Sequence, residues 1–304
     1  MVSPPSDRKV SGPNAPASRY LLGASTWLWT SPLTTEMAEQ LFPKIAQMGF
    51  QAVELPLENI DLLDPDRINT LLGDHGLKPS VCGVFGPGRD LNHPDATIRR
   101  ATLDYIERAL DFAAVVGGPT LCGPLYAEVG KRRPLPDEQR RREWDLAVEG
   151  VRAACELAAT RNVRIAIEPI NRFETDLVNT VAAAVQLARE VSHPSAGVMV
   201  DSFHLTLEEA NLEEAIRTAG DLLCHVQVSE NHRGIPGTGL TDWPAFRRGL
   251  EAVNYRGLVV IESFTPENRD LAGAVCIWHR HAPDQDTFAR QGLAFLQSLL
   301  QSAP

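Results

Sequence analysis

Four polar residues each stand at or near the end of a short apolar run: Glu168, Asp201, Gln227 and Glu262. The runs read VRIAIE, GVMVD, LLCHVQV and LVVIE. Near-continuous runs of Val, Ile and Leu are typical of parallel strands buried on both faces, and side chains alternate between the faces along such strands. In each run the polar residue and the residue two positions before it point to one face, while the aliphatic residues beside them point to the other. We therefore predict that all four polar side chains point into the interior of one parallel barrel, at its carboxyl-terminal end.

Three carboxylates and an amide oxygen brought together in this way would repel one another unless a cation lay among them. Oxygen atoms are hard ligands that suit Mn²⁺ or Mg²⁺ better than Zn²⁺. A single acidic residue at a strand end is more simply explained as a helix cap or a surface salt bridge. Four polar residues on successive strands in matching phase favour a shared site, so we predict a divalent metal, with Mn²⁺ expected and Mg²⁺ or Co²⁺ as alternatives.

The elements that position these residues alternate regularly along the chain. The remaining strands are predicted at residues 20–27, 52–55, 78–84 and 119–122. Helices are predicted at residues 35–48, 65–75, 95–116, 137–160, 178–191, 207–218, 243–253 and 286–300. Eight strand–helix units in strict alternation predict a parallel sheet closed into a single (β/α)8 TIM barrel, with a doubly wound sheet as the alternative. In such barrels the reactive residues sit at the carboxyl ends of the strands, which is where the four polar residues fall.

Bulk properties limit the class of protein. We assign residues 20–302 to one barrel domain and residues 1–19, which are rich in Pro and Ser, to a disordered tail. A formal net charge of −10 argues against a nucleic-acid surface, and no apolar run approaches the roughly 20 residues of a membrane span. The five scattered cysteines lack a CxxC pair, which indicates reduced thiols and a cytoplasmic location.

Further polar residues follow the predicted strands and could contact a substrate. Glu174 lies in NRFE after the fifth strand, and His204 lies three residues after Asp201. Arg233 lies in the glycine-rich run ENHRGIPGTG after the seventh strand and suits the binding of substrate oxygens. The competing interpretation is a phosphate site, because the loops after strands seven and eight of these barrels often bind phosphate. That run lacks the lysine of a P-loop, so the phosphate signal is weak.

The segments EPINRFET, VDSFH, SENHRGIPGTG and VIESF together resemble those of a known family. Over residues 20 to 300 the chain resembles the sugar isomerase/epimerase family with a xylose isomerase-like barrel. Within that family it is similar to the ketose 3-epimerases that act on tagatose, psicose or ribulose-type sugars. The resemblance implies a metal-dependent isomerase that acts on a small sugar, as a dimer or tetramer.

The resemblance also implies residue roles. It makes Glu168 and Glu262 metal ligands and the catalytic acid/base pair, and it makes Asp201 a further metal ligand. The substrate oxygens would be bound by residues named above, namely Glu174, His204 and Arg233.

One departure from the family pattern concerns the fourth metal ligand. The family usually reads His-x-His before its glutamate–asparagine segment, and the second histidine binds the metal. This chain reads His225-Val226-Gln227, so an amide stands at the ligand position, and His225 is expected to be buried and hydrogen-bonded. The change leaves three activities open: ketose C3 epimerisation, aldose–ketose isomerisation, and a lyase reaction on a 3-keto-glycoside. A sugar-binding barrel without activity is disfavoured, because both acid/base carboxylates are present.

Overall fold

The computed structural model describes residues 19–301, and eight parallel strands close a barrel in the order of the sequence. The strands are β1 (Leu21–Ser25), β2 (Ala52–Leu57), β3 (Lys78–Gly83), β4 (Thr120–Gly123), β5 (Arg164–Ile167), β6 (Ala196–Asp201), β7 (Leu223–Val228) and β8 (Leu258–Ile261). Each strand pairs with the next, and β8 pairs with β1. The closed barrel confirms the predicted (β/α)8 fold and excludes the doubly wound alternative.

Ten α-helices cover the outside of the barrel and its carboxyl-terminal end within the described residues. They are α1 (Thr35–Met48), α2 (Pro65–His75), α3 (Ala96–Val116), α4 (Asp137–Ala159), α5 (Val181–Val191), α6 (Ser202–Glu208), α7 (Leu212–Ala219), α8 (Trp243–Ala252), α9 (Arg269–Ala274) and α10 (Gln285–Leu300). Capping residues set several boundaries. The Thr34 hydroxyl accepts from the Met37 N–H at the start of α1, and Gly49 ends that helix in the left-handed conformation. No helix in the described part of the chain is long and apolar enough to cross a membrane.

The apolar core is divided by the barrel wall, as the strand alternation predicts. Ile165 and Ile167 of β5 belong to the large cluster between strands and helices, together with Val259 and Ile261 of β8 and the valines of β6 and β7. Ala166 and Met199 instead belong to a smaller cluster inside the barrel. The phase predicted for the strands that carry the four polar residues is therefore confirmed.

Two helices differ from the sequence prediction. The helix predicted at residues 207–218 corresponds mainly to α7, and neither α6 nor α9 was predicted. Helix α6 begins directly after β6 because the Asp201 carboxylate accepts from the Phe203 N–H and caps it. His204 therefore lies in a helix rather than in a loop. The predicted tail, residues 1–19, lies outside the described residues except for Arg19, whose guanidinium donates to the Tyr255 carbonyl.

Candidate active site

The four polar residues lie at the same end of the barrel interior and are all buried. Glu168 and Glu262 follow directly after β5 and β8, and they are 6% and 5% exposed. Asp201 and Gln227 are neighbours across β6 and β7, and neither is accessible to solvent. The structure thus brings together the strand ends from which the sequence predicted a site.

A cavity of about 500 Å³ opens above these strand ends. The polar residues at its inner end are Glu168, Glu174, His204, Arg233 and Glu262. Asp201 and Gln227 are not part of its lining. The rest of its lining contains many apolar residues, among them Phe85, Val129 and Leu271, together with the charged Glu58 and Asp270. The cavity has the size of a small-molecule site, and most of its charged groups lie at the strand ends.

Arg233 supplies the positive charge at the centre of the charged groups at the strand ends. Its Nη1 lies 2.5 Å from Asp201 Oδ2 and 2.9 Å from Glu262 Oε2. The guanidinium also stacks on the rings of Phe203 and Phe264, at 4.1 and 5.3 Å from the ring centroids. One monovalent group therefore offsets a cluster that includes Asp201, Glu262 and the nearby Glu168. The sequence placed Arg233 at the substrate, and the structure places it against two predicted metal ligands.

The remaining excess of negative charge shifts the pKa values of the two glutamates. Burial, with Coulombic repulsion from Glu262 and Asp201, raises the pKa of Glu168 well above its usual range. Burial also raises the pKa of Glu262 to about 8, although Arg233 acts in the opposite direction. A raised pKa lets each of these buried carboxyl groups keep a proton at a higher pH than an ordinary glutamate does, as a general acid requires.

His204 is held with a defined proton position. Its Nδ1 accepts from the backbone N–H of Asn171 at 3.1 Å, so Nε2 carries the proton of the neutral ring. Burial and the nearby Arg233 hold the pKa of His204 well below its usual range. Its Nε2 lies 3.6 Å from Glu168 Oε1 and 3.2 Å from Arg233 Nη2, and the latter contact joins two donors. The Nε2–H is therefore available to an incoming oxygen atom.

Glu174 lies at the side of the cavity and is held by its own segment. Its Oε1 accepts from the Asn171 side-chain amide at 2.7 Å. Asn171 thus positions both Glu174 and His204, which the sequence had assigned separately to the substrate. The backbone N–H of Phe173 donates to Asn171 Oδ1 at 2.9 Å and helps to hold that side chain, while the ring of Phe173 is exposed.

Below the cavity the donor set fits a hard cation. One carboxylate oxygen each of Glu168 and Asp201 lie within 4.8 Å of each other. Gln227 Oε1 is buried and has no hydrogen-bond partner among the described residues, which is costly for an amide oxygen unless another group satisfies it. An unsatisfied amide oxygen near several carboxylates is the kind of donor set that a divalent cation with oxygen ligands takes.

The sequence analysis missed Glu54, a carboxylate inside β2. It is completely buried, and its Oε1 accepts from Gln227 Nε2 at 2.6 Å. Its Oε2 lies 2.7 Å from His225 Nε2, which confirms the expectation that His225 is buried and hydrogen-bonded. A lone acidic residue in the apolar run AVELPL, in phase with the inner face, was the signal that could have identified it.

Comparison with known proteins gives three findings. The model of the family described as xylose isomerase-like TIM barrel matches residues 42–299. The ketose 3-epimerase of Arthrobacter globiformis is 27% identical over 281 residues, which cover 92% of this chain and 96% of that protein. The crystal structure of D-allulose 3-epimerase from Methylomonas sp. in complex with D-allulose matches with a TM-score of 0.86 and 27% identity, over 92% of this chain and 97% of that chain.

A further relative matches a shorter part of the chain. The 3-dehydro-D-guloside 4-epimerase of Escherichia coli (strain K12) is 33% identical over 163 residues, which cover 53% of this chain and 62% of that protein. All of these relatives are named as sugar epimerases. The findings confirm the resemblance inferred from the sequence and the prediction that the chain is an enzyme of the isomerase class.

Proposed function

The chain belongs to the xylose isomerase-like TIM barrel family, and on that premise we propose that it is a divalent-metal-dependent epimerase that inverts C3 of a ketose. The observation that carries the proposal is the pair of buried carboxyl groups, Glu168 and Glu262, at the inner end of a cavity of sugar size. Both have pKa values raised towards or beyond neutrality. The similarity to ketose 3-epimerases over more than nine-tenths of the chain supports the choice of reaction.

The cation would be held by Glu168, Asp201, Gln227 and Glu262. The unpartnered oxygen of Gln227 supports this set, as does the closeness of the Asp201 and Glu262 carboxylates, which both contact Nη1 of Arg233. A divalent ion bound there supplies polarisation of the ketose carbonyl and of an adjacent hydroxyl. We propose Mn²⁺ or Mg²⁺, because all four donors are oxygen atoms.

The two glutamates perform the proton transfers. One carboxylate removes the proton from C3, next to the carbonyl, and the resulting enediolate is then protonated at C3 by the other carboxyl group from the opposite face. Return of the proton on the opposite face inverts the configuration. The Nε2–H of His204 and the guanidinium of Arg233 donate to substrate oxygens, and Glu174 accepts from a hydroxyl group. The apolar side chains of the cavity lining reduce the access of water to the enediolate.

A second substrate class, the 3-keto-glycosides, is supported by two observations. The cavity lining contains more apolar side chains than a free ketose with its many hydroxyl groups requires. The partial relative from Escherichia coli is named for a 3-dehydro-glycoside. The same carboxylates would remove a proton next to the keto group, and either reprotonation or loss of a leaving group would follow.

The proposed function is tested by incubating the Mn²⁺-loaded enzyme with D-allulose, D-fructose, D-tagatose and L-ribulose, and with a 3-keto-glucoside, and by following each reaction by NMR. We expect interconversion of a pair of C3-epimeric ketoses. Formation of an aldose would identify an isomerase instead, and release of an aglycone would identify a lyase. The absence of any turnover with every compound would contradict the proposal that the site is an epimerase.

The stabilisation of the protein by a cation bound at this site should depend on pH. The pKa of Glu262 is raised from 4.5 to about 8 in the folded protein, so the native state binds this proton more tightly than the unfolded state. This contribution to stability is present at low pH and is lost as the pH rises through about 8. Mn²⁺ binds the deprotonated carboxylates, so the rise in Tm on adding Mn²⁺ should be larger at pH 8 than at pH 6. Differential scanning fluorimetry at both pH values measures the change in Tm on adding Mn²⁺. Equal changes at the two pH values, or no change at either, would count against the site.

Gln227→His should change metal preference without changing the fold. An imidazole nitrogen is softer than an amide oxygen and favours later transition metals such as Co²⁺. Both side chains are neutral, so the formal charge of the ligand set stays the same. We expect the wild type to prefer Mn²⁺ or Mg²⁺ over Co²⁺, and the variant to shift its activity optimum towards Co²⁺. Metal titrations of both proteins decide this, and an unchanged order of preference would mean that Gln227 does not contact the ion.

A further inference from the structure

Glu54 is a carboxylate that neither lines the cavity nor belongs to the proposed ligand set, yet it is completely buried beneath the site. Its Oε2 accepts from the Ser80 hydroxyl at 2.6 Å and lies 2.7 Å from His225 Nε2. Its Oε1 lies 2.6 Å from Gln227 Nε2. A fully buried carboxylate is costly unless hydrogen-bond donors satisfy it, so this arrangement calls for an explanation beyond packing.

The partners of Glu54 act as donors. The hydroxyl of Ser80 donates to Oε2, and Nε2 of His225 lies at hydrogen-bond distance from the same oxygen. Donors directed at a carboxyl group suit its ionised form, which has two acceptor oxygens and no proton to donate. Oε1 can therefore only accept a hydrogen bond from the group that faces it.

This restriction determines the orientation of the Gln227 amide. The oxygen and nitrogen of an amide differ little in shape, so the assignment must come from the hydrogen-bond partners. Because Glu54 Oε1 can only accept, the atom of Gln227 that faces it is the nitrogen. The planar amide then directs Oε1 away from Glu54, and this is the buried oxygen that has no partner among the described residues.

We propose that Glu54 is a positioning residue that holds the amide of Gln227 with its oxygen towards the cation site. The inference rests on the proposed function, since it assigns Gln227 to a cation. It also explains how an amide can serve as a ligand here, because the amide donates an N–H to a carboxylate and offers a lone pair to a cation on the far side. Glu54 itself does not contact the substrate.

The direct test is Glu54→Gln, which keeps the shape of the side chain but no longer limits it to accepting hydrogen bonds. A glutamine at position 54 can donate or accept, so the Gln227 amide no longer has one favoured orientation. We expect the dissociation constant for Mn²⁺, measured by calorimetric titration of metal-free protein, to rise by about 10- to 100-fold. Glu143→Gln is the matched control, because Glu143 is also buried but pairs with Arg133 outside the site, and it should leave the constant unchanged.

Loss of a nearby negative charge would also weaken Mn²⁺ binding, so a double-mutant cycle separates the two causes. In a Gln227→Leu background there is no amide to orient. If Glu54 positions Gln227, Glu54→Gln should weaken Mn²⁺ binding much less in that background than in the wild type. An equal weakening in both backgrounds would overturn the positioning role and leave only an effect of charge.

A second readout needs no metal. In protein labelled with ¹⁵N-glutamine, the side-chain amide of Gln227 should show a downfield proton that exchanges slowly with solvent, and this signature should vanish in Glu54→Gln. If the signature is present but Mn²⁺ does not bind the wild type, the proposed function fails and the positioning of the amide stands. If Mn²⁺ binds wild type and Glu54→Gln equally well, the positioning role is overturned and the proposed function stands. If Glu54→Gln does not fold, a Gln227 side-chain amide proton without a downfield shift in the wild type would still overturn the positioning role of Glu54.

Discussion

Glu262→Gln should reduce kcat by about 10²- to 10⁴-fold, the usual contribution of a general acid or base. The amide keeps an oxygen at the same position, but it cannot carry the proton that inversion at C3 requires. Because that oxygen remains, the variant should keep much of its Mn²⁺, although one negative charge is lost. Initial rates with the ketose identified in the screen, together with the Mn²⁺ content after dialysis, measure both effects.

Glu143→Gln is the control for Glu262→Gln, because it makes the same chemical change at a buried carboxylate that is paired with Arg133 on the outside of the barrel. It should leave kcat near the wild-type value. A Glu262→Gln variant with near wild-type turnover would remove Glu262 from the acid/base pair. A variant that has lost its Mn²⁺ as well as its activity would show that the main role of Glu262 is metal binding.

Arg233→Ala should lower kcat/KM and at the same time enlarge the response to Mn²⁺. Its guanidinium contacts Asp201 and Glu262 at hydrogen-bond distance, so it competes with a cation for the same carboxylates. Without Arg233 the metal-free protein contains uncompensated buried charge, so its Tm should be lower. Adding Mn²⁺ should then raise the Tm by more in Arg233→Ala than in the wild type. Loss of a charged hydrogen bond to the substrate costs about 1.5–3 kcal/mol, which corresponds to a fall in kcat/KM of about 10- to 150-fold.

Arg142→Ala provides the comparison for Arg233→Ala. Arg142 lies in α4, where its exposed side chain pairs with the exposed Glu138 at 2.5 Å. Exposed ion pairs contribute little to stability, so this variant should leave kcat/KM, Tm and the Mn²⁺ response close to wild type. An Mn²⁺ response of the same size in Arg233→Ala and in the wild type would mean that Arg233 and the cation do not share carboxylates.

The sequence was sufficient to predict the barrel and the four strand-end residues because both patterns are local. The alternation of Ala166 with Ile165 and Ile167, for example, assigns the face of Glu168 from four consecutive residues. Alternating strands and helices then determine that these strands run parallel, so that their carboxyl ends meet. The cation itself, its identity and the oligomeric state remain predictions.

What the sequence did not reveal depends on contacts between distant parts of the chain. Glu54 is separated by 171 residues from His225 and by 173 from Gln227, so no spacing rule connects it to the site. The pairing of Arg233 with Asp201 likewise depends on how the loop after β7 folds over β6. The helix α6 was missed because the residue that caps it, Asp201, had been assigned to metal binding alone.

The most direct test of the central claim is the fate of the C3 proton in D₂O. The Mn²⁺-loaded enzyme is incubated with a ketose that it epimerises, and both sugars are examined by NMR and mass spectrometry before equilibrium is reached. Transfer by two carboxyl groups on opposite faces predicts one deuterium at C3 of the epimer, while the remaining substrate is initially unlabelled. An epimer that retains the original C3 proton would contradict the account, because the configuration would then have been inverted without proton exchange through Glu168 and Glu262.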